Sequence, residues 1–107
     1  MERIERLMEL IDKFPDDMFS RHALAMEYIK MGLDDKALAV MVELLELNPR
    51  YIGTYYHLGK VYERMANLKK ALDVYQEGES MARSLNALHE LRELAAAKAN
   101  LLDLLEQ

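Results

Sequence analysis

The chain has 107 residues, of which 51% are hydrophobic and 31% are charged, a balance that suits one compact domain with a full core. Its formal charge of −5 argues against nucleic acid or an anionic membrane as a partner. It has no Cys, which excludes disulfides, thiolate catalysis and Cys-ligated zinc, and its 4 Gly and 2 Pro argue against a turn-rich β fold. The composition therefore predicts a small helical protein of a reducing compartment, and we expect it in the cytoplasm.

The first segment ends at Pro15 and predicts an amphipathic helix rather than a targeting signal. Charged side chains interrupt it throughout, so it has no apolar stretch for a signal peptide or a membrane span. Its apolar residues have the i, i+3, i+4, i+7 spacing of one helical face: Ile4, Leu7, Met8 and Ile11.

Four further helices follow from capping residues and helix breakers. Asp16 or Asp17 can cap a second helix that Gly32 ends, and Asp34 can cap a third that Asn48-Pro49 ends. A fourth helix is predicted over 51–65, and a fifth from 68 to about 83, with Asn67 as the cap or turn between them. Residues 86–106 predict a terminal helix.

The apolar pattern repeats with a period of 34 residues. Nine identical pairs lie 34 positions apart: Pro15 and Pro49, Leu24 and Leu58, Tyr28 and Tyr62, Met31 and Met65, Lys36 and Lys70, Ala37 and Ala71, Leu38 and Leu72, Val40 and Val74, and Glu43 and Glu77. Most of these residues are apolar or small, as expected where each unit buries the same surface against the next.

These residues resemble the tetratricopeptide repeat family, whose signature is W-x2-L-G-x2-Y, then A-x3-F and a closing Pro. The first repeat matches at Leu24, Tyr28, Ala37 and Pro49, with Ala25 for the Gly and Met41 for the aromatic residue. The second matches at Tyr55 for the Trp, and at Leu58, Gly59, Tyr62, Ala71 and Tyr75. The repeats depart from the signature at Arg21 in the Trp place, at Leu44 and Gly78 where the family has a small residue such as Ala, and at Arg83 in the Pro place.

The resemblance implies an all-α, short right-handed solenoid of antiparallel helix-turn-helix repeats with about six helices in one domain, 1–107. Residues 1–15 would form an N-terminal half repeat, 18–51 and 52–85 two full repeats, and 86–107 a capping helix. We expect Ala25, Gly59, Ala37 and Ala71 at the closest helix approaches. Met8, Met31, Met41 and Met65 are expected to fill the core.

No catalytic or metal-binding pattern is present in the sequence. His22, His57 and His89 have no i, i+4 spacing, and there is no H-E-x-x-H, G-x-S-x-G or phosphate-loop motif. Aromatic residues near Lys60 and Arg64 superficially resemble a single-strand platform, but Tyr55 and Tyr62 take core places of the repeat. We therefore predict a non-catalytic protein without a metal or cofactor.

In this family, the first helices of successive repeats line a concave groove that receives a peptide or a partner helix. The residues at comparable places are Phe19, His22, Met26, Ile29 and Lys30 in the first repeat, and Tyr56, Lys60 and Arg64 in the second. The apolar stripe of the first repeat either lines that groove or packs on a neighbouring helix. Family members that clamp a chaperone C-terminus use Lys, Asn and Arg at places that hold Phe19, Ala23, His57, Ala87 and Leu91 here, so that clamp is absent.

The terminal helix supports an alternative in which the protein is a structural homo-oligomer. Its end is rich in leucine, and a terminal helix longer than the second repeat requires would leave that end overhanging: Leu101, Leu102, Leu104 and Leu105. The sequence thus predicts a protein-interaction module with a peptide or protein partner, or alternatively a homodimer formed through this end or through the groove.

Overall fold

A computed structural model describes residues 2–107, and these residues form α-helices connected by short turns. The helices are α1 (Glu2–Lys13), α2 (Met18–Lys30), α3 (Asp34–Leu47), α4 (Gly53–Arg64), α5 (Leu68–Leu85) and α6 (Leu88–Glu106). The described residues contain six helices and no strand. The predicted all-α class and the number of helices are confirmed.

The chain divides into two compact units, Met1–Tyr51 and Ile52–Gln107. In the first unit, α2 packs against both α1 and α3, while α1 and α3 have no extensive contact with each other. In the second unit, α5 packs extensively against α4 and α6, and α6 also contacts α4. Each unit therefore consists of a helical hairpin with one additional helix packed against it.

Side-chain caps and left-handed residues set the helix boundaries. Asp17 caps α2, because its carboxylate accepts a hydrogen bond from the Phe19 N–H at 3.1 Å. Gly32 follows this helix with a φ of +75°, a conformation that favours glycine. Asn67 caps α5 by accepting from the Lys70 N–H. Asn86, with a φ of 55°, ends α5 in the left-handed conformation that asparagine tolerates.

Three predicted boundaries were wrong by a few residues. Asp34 is the first residue of α3 rather than its cap, since Leu33 takes the cap position. Helix α4 begins at Gly53, because the turn after Pro49 includes Tyr51 and Ile52. Helix α5 continues to Leu85, so α6 begins at Leu88 rather than at Asn86.

The core of the first unit lies where α2 contacts its two neighbours. Leu7 and Leu24 are about 5% exposed, and the α3 residues Ala37, Met41 and Leu44 are fully buried. Of the four methionines expected in the core, only Met41 is buried. Met8, Met31 and Met65 are 40–49% exposed, since they lie at helix edges or ends where no neighbouring helix covers them.

Close contacts to glycine shape the core of the second unit. A Cβ at Gly59 would lie 2.1 Å from Cε1 of Tyr75, and a Cβ at Gly78 would lie 2.8 Å from Cβ of Tyr55. Both tyrosines are almost completely buried, so each ring occupies space that the glycine leaves open. The expectation of close approach at Gly59 is confirmed, and Ala25, Ala37 and Ala71 are likewise 0% exposed.

Candidate binding surfaces

The predicted residues of the first repeat lie on one face of α2, which we call the α2 surface: Phe19, His22, Met26, Ile29 and Lys30. Their exposure varies along the helix. Phe19 is 67% exposed, His22, Met26 and Ile29 are half-buried, and Lys30 is exposed. This surface therefore combines one large exposed aromatic side chain, partly covered apolar side chains and a cation at its C-terminal end.

Charged and aromatic side chains contact the polar residues at the two ends of the α2 surface. Glu27 pairs with Arg3 of α1 at 2.7 Å and lies 3.9 Å from the Lys30 ammonium. The His22 ring is tilted against the Tyr51 ring, with 5.6 Å between centroids. Burial raises the pKa of Tyr51, and the negative charge of Asp17 raises it further. The polar groups at both ends of the surface thus have identified partners.

The predicted residues of the second repeat, Tyr56, Lys60 and Arg64, follow one another at i, i+4 spacing and define the α4 surface. The Lys60 ammonium lies 5.6 Å from the centre of the Tyr56 ring and 3.7 Å from a Glu63 carboxylate oxygen. The Tyr56 and His57 rings meet in a T-shaped contact, with 5.5 Å between centroids. This surface presents an aromatic ring beside two cations.

Two residues beside the α4 surface, Tyr75 and His57, have pKa values shifted from their ordinary values. The buried Tyr75 hydroxyl donates a hydrogen bond to the Glu63 carboxylate, and burial together with this bond raises the Tyr75 pKa. Burial also lowers the pKa of His57; the Arg64 charge lowers it further, while the Glu93 charge opposes both effects. Glu63 therefore contacts both Lys60 of α4 and Tyr75 of α5.

The four C-terminal leucines differ in burial. Leu101 is fully buried, and Ala97 and Leu94, one and two turns earlier, are almost completely buried, so Leu101 belongs to the core of the second unit. Leu102, Leu104 and Leu105 are 40–55% exposed. Leu104 and Leu105 continue the same helical stripe as Leu101. The stripe therefore extends beyond the part of α6 that the rest of the unit covers.

A groove in the first unit was not predicted from the sequence. It has a volume of about 460 Å³, lies over α2 between α1 and α3, and is lined by Met8, Ile11, Asp12, Arg21, Leu24, Ala39, Val40 and Glu43. We call it the unit 1 groove. The Arg21 guanidinium pairs with Glu43 and donates to the Pro15 carbonyl, but its buried Nε has no partner among the described residues. Arg21 in the Trp place was the signal that could have revealed it.

Within residues 2–107, no group of three or more His, Cys, Asp or Glu side chains is arranged to hold a metal ion. In the same range, no helix has both the length and the apolar character required to cross a bilayer. The chemistry that the described surfaces offer is apolar, aromatic and ionic contact.

Comparison with known proteins identifies the repeats. The sequence profile of the tetratricopeptide repeat matches residues 20–51 and 52–85. The crystal structure of a tetratricopeptide repeat domain protein from Salinibacter ruber is 44% identical, with a TM-score of 0.79 over 82% of this chain and 98% of that chain. The TPR2B domain of yeast Sti1, solved as a pHsp70 complex, is 16% identical, with a TM-score of 0.86 over 94% of this chain and 80% of that one.

A search of curated protein sequences found no match to the chain. The two matched segments together span more than half of the chain. The chain therefore belongs to the tetratricopeptide repeat family, as its sequence pattern predicted.

Proposed function

We propose that this chain is a non-catalytic interaction module, with the α2 surface and the α4 surface each as a binding surface for a peptide or a partner helix. Tetratricopeptide repeats are protein-interaction modules, and the structural relative from yeast Sti1 was solved as a complex with pHsp70. The positions of the chaperone clamp hold Phe19, Ala23, His57, Ala87 and Leu91 in this chain, so the proposed partner is not a chaperone tail.

The observation that carries the proposal is the exposure of Phe19. A phenylalanine that is 67% exposed beside half-buried Met26 and Ile29 provides an apolar anchor that the first unit does not use in its own core. On α4, Lys60 and Arg64 beside Tyr56 add positive charge in a protein with a formal charge of −5. Apolar anchors of a partner match the α2 surface, and an acidic group of a partner matches the α4 surface.

The test is affinity capture from the source cell with the whole chain and two double variants. Met26→Glu with Tyr56→Glu should abolish capture of any specific partner, because both charges fall on the proposed surfaces. The matched control, Met31→Glu with Gln76→Glu, adds the same charge at exposed positions elsewhere. Circular dichroism should show unchanged helicity in both variants. Equal capture by the wild type and the first variant would contradict the proposal.

A second candidate function is homo-oligomer formation through the end of α6. It is favoured by the exposure of Leu104 and Leu105 on the stripe that includes the buried Leu101. A second copy could cover these leucines in a symmetric contact between two α6 helices.

Solution mass by size exclusion with light scattering, measured over a wide concentration range, tests this candidate. A dimer that Leu104→Lys with Leu105→Lys converts to a monomer would support it. Leu47→Lys with Leu88→Lys is the control, because both leucines are more than half exposed elsewhere. Substitution is preferable to truncation, since removal of the fully buried Leu101 would disturb the core. A wild-type monomer at all concentrations would exclude this candidate.

A further inference from the structure

The unit 1 groove is separate from the α2 surface and has its own apolar lining. Leu24 forms its floor on α2, Met8 and Ile11 line it from α1, and Ala39 and Val40 line it from α3. Met8 is 49% exposed, although a methionine on the apolar face of an amphipathic helix normally packs against a neighbour. The groove volume is about 460 Å³, within the range of about 300 to 1,000 Å³ that is typical of ligand pockets.

The two repeats differ at the position of the groove residue Arg21. Position 21 corresponds to position 55 in the second repeat, where Tyr55 is 4% exposed and its ring packs on Gly78. The Arg21 guanidinium instead pairs with Glu43 and donates a hydrogen bond to the Pro15 carbonyl. The first repeat therefore has no large aromatic ring at this position.

The charged side chains at the rim of the unit 1 groove indicate which kind of partner it would bind. Asp12 is exposed, and the Glu43 side chain is 61% exposed, whereas the Arg21 side chain is only 13% exposed. Solvent-facing charge at the groove is thus negative, in a chain whose formal charge is −5. The leucine-rich end of a second copy carries Asp103 and Glu106, so like charges oppose its docking here.

We propose that the unit 1 groove is a second binding site of this protein, for an amphipathic helix with a leucine-rich apolar face and flanking basic side chains. Its apolar side chains would contact Met8, Leu24 and Val40, and a basic side chain would pair with Asp12 at the rim. The site is independent of the proposed function, because none of its lining residues belongs to the α2 or α4 surface.

The test uses two labelled, amidated peptides that share an apolar leucine face at helical spacing. One carries lysines on its polar face and the other carries glutamates at the same positions. Fluorescence anisotropy with the whole chain should show binding of the lysine peptide at least about tenfold tighter than binding of the glutamate peptide. Amide chemical shifts should change at residues of α1 and α3 that line the groove. Shift changes confined to α4 or α6 would overturn the proposal.

Matched variants separate the groove from general attraction between a basic peptide and an acidic protein. Ala39→Trp should fill the groove and weaken binding of the lysine peptide by about tenfold, whereas Ala96→Trp should leave it unchanged. Both alanines are exposed, so neither substitution changes the core. Asp12→Lys and the control Asp103→Lys change the net charge of the protein equally. Only Asp12→Lys should weaken binding of the lysine peptide severalfold.

Equal effects within either pair would show that the peptide binds by net charge or elsewhere, and would overturn the proposal. Capture through the α2 and α4 surfaces should persist in Ala39→Trp. Failure of the groove and failure of the proposed function are therefore distinguishable, because each is tested by variants that leave the other site intact.

Discussion

The Tyr75 ring packs directly over the backbone of Gly59, so closely that a Cβ at position 59 would lie 2.1 Å from Cε1 and 2.6 Å from Cζ of that ring. The corresponding pair in the first repeat is Met41 and Ala25, both fully buried. In both repeats, a small residue on the first helix thus corresponds to a larger residue on the second. A large ring accompanies glycine in one repeat, and a flexible methionine accompanies alanine in the other.

We predict that Gly59→Ala lowers the free energy of unfolding by about 1 to 3 kcal/mol, because the ring has no room to move away. Adding Tyr75→Met recreates the pair of the first repeat and should recover part of this loss. The recovery is incomplete, since Glu63 loses the hydrogen bond from the Tyr75 hydroxyl. Urea denaturation gives the free energy of unfolding of the wild type, of Gly59→Ala and of the double variant.

Gly53→Ala is the matched control for this prediction. It lies on the same helix, and a Cβ there meets nothing within 4 Å. It should leave stability unchanged or raise it by up to about 1 kcal/mol. Equal effects at Gly59 and Gly53, or no interaction between the Gly59 and Tyr75 substitutions, would refute the packing explanation.

A second prediction tests the register of the two repeats. Ala37 and Ala71 are 34 positions apart, and both are 0% exposed near the start of the second helix of their repeat. Substitution of either by Leu should cost about 1 to 3 kcal/mol by overpacking. The exposed Ala96→Leu is the control and should have little effect. An unchanged thermal midpoint in Ala37→Leu or Ala71→Leu would argue against the assigned register.

The repeat pattern made most of the fold predictable from the sequence. A period of 34 residues sets helix number, helix order and the small residues at close contacts, because each repeat must bury an equivalent face. Boundaries were less predictable where the turn conformation decided them. Asn86 in the left-handed conformation lengthens α5 to Leu85, and apolar periodicity alone does not show this.

The candidate surfaces were predictable only in part. Helical spacing groups the residues of the α2 surface on one helix face, but burial separates the C-terminal leucines in a way that composition did not indicate. Leu101 is in the core because α6 covers the second unit up to that turn. The unit 1 groove is lined by residues of three helices, and the sequence shows only that an aromatic residue is missing at position 21.

A third prediction concerns the ion pair that connects α6 to α5. The Glu79 side chain is 5% exposed and accepts from the Lys98 ammonium at 2.7 Å, with Arg83 farther away at 3.7 Å. Lys98→Met should destabilise the protein by about 2 kcal/mol or more, because it leaves a buried carboxylate with one distant partner.

Adding Glu79→Leu to Lys98→Met removes the buried charge and should restore most of the lost stability. Lys69→Met, at an exposed position of α5, is the control for loss of a lysine. Chemical denaturation gives the free energy of unfolding of the wild type, Lys98→Met, the double variant and Lys69→Met. If the double variant is as unstable as Lys98→Met, the loss comes from packing rather than from an unpaired carboxylate.

The fourth prediction concerns pH and follows from the lowered pKa of His57. Burial and the nearby Arg64 disfavour the charged imidazole in the folded protein, and Glu93 only partly offsets them. The unfolded chain therefore binds a proton at His57 at a higher pH than the folded chain does. As pH falls below about 6.5, the ordinary histidine value, protonation stabilises the unfolded state, and the stability of the protein should fall until His57 protonates in the fold.

Urea unfolding at about pH 7.5 and about pH 5.0 measures this loss of stability. His57→Gln should lose less stability between the two pH values, because the substitution removes the titrating group. Equal losses in the two proteins would contradict a contribution from His57.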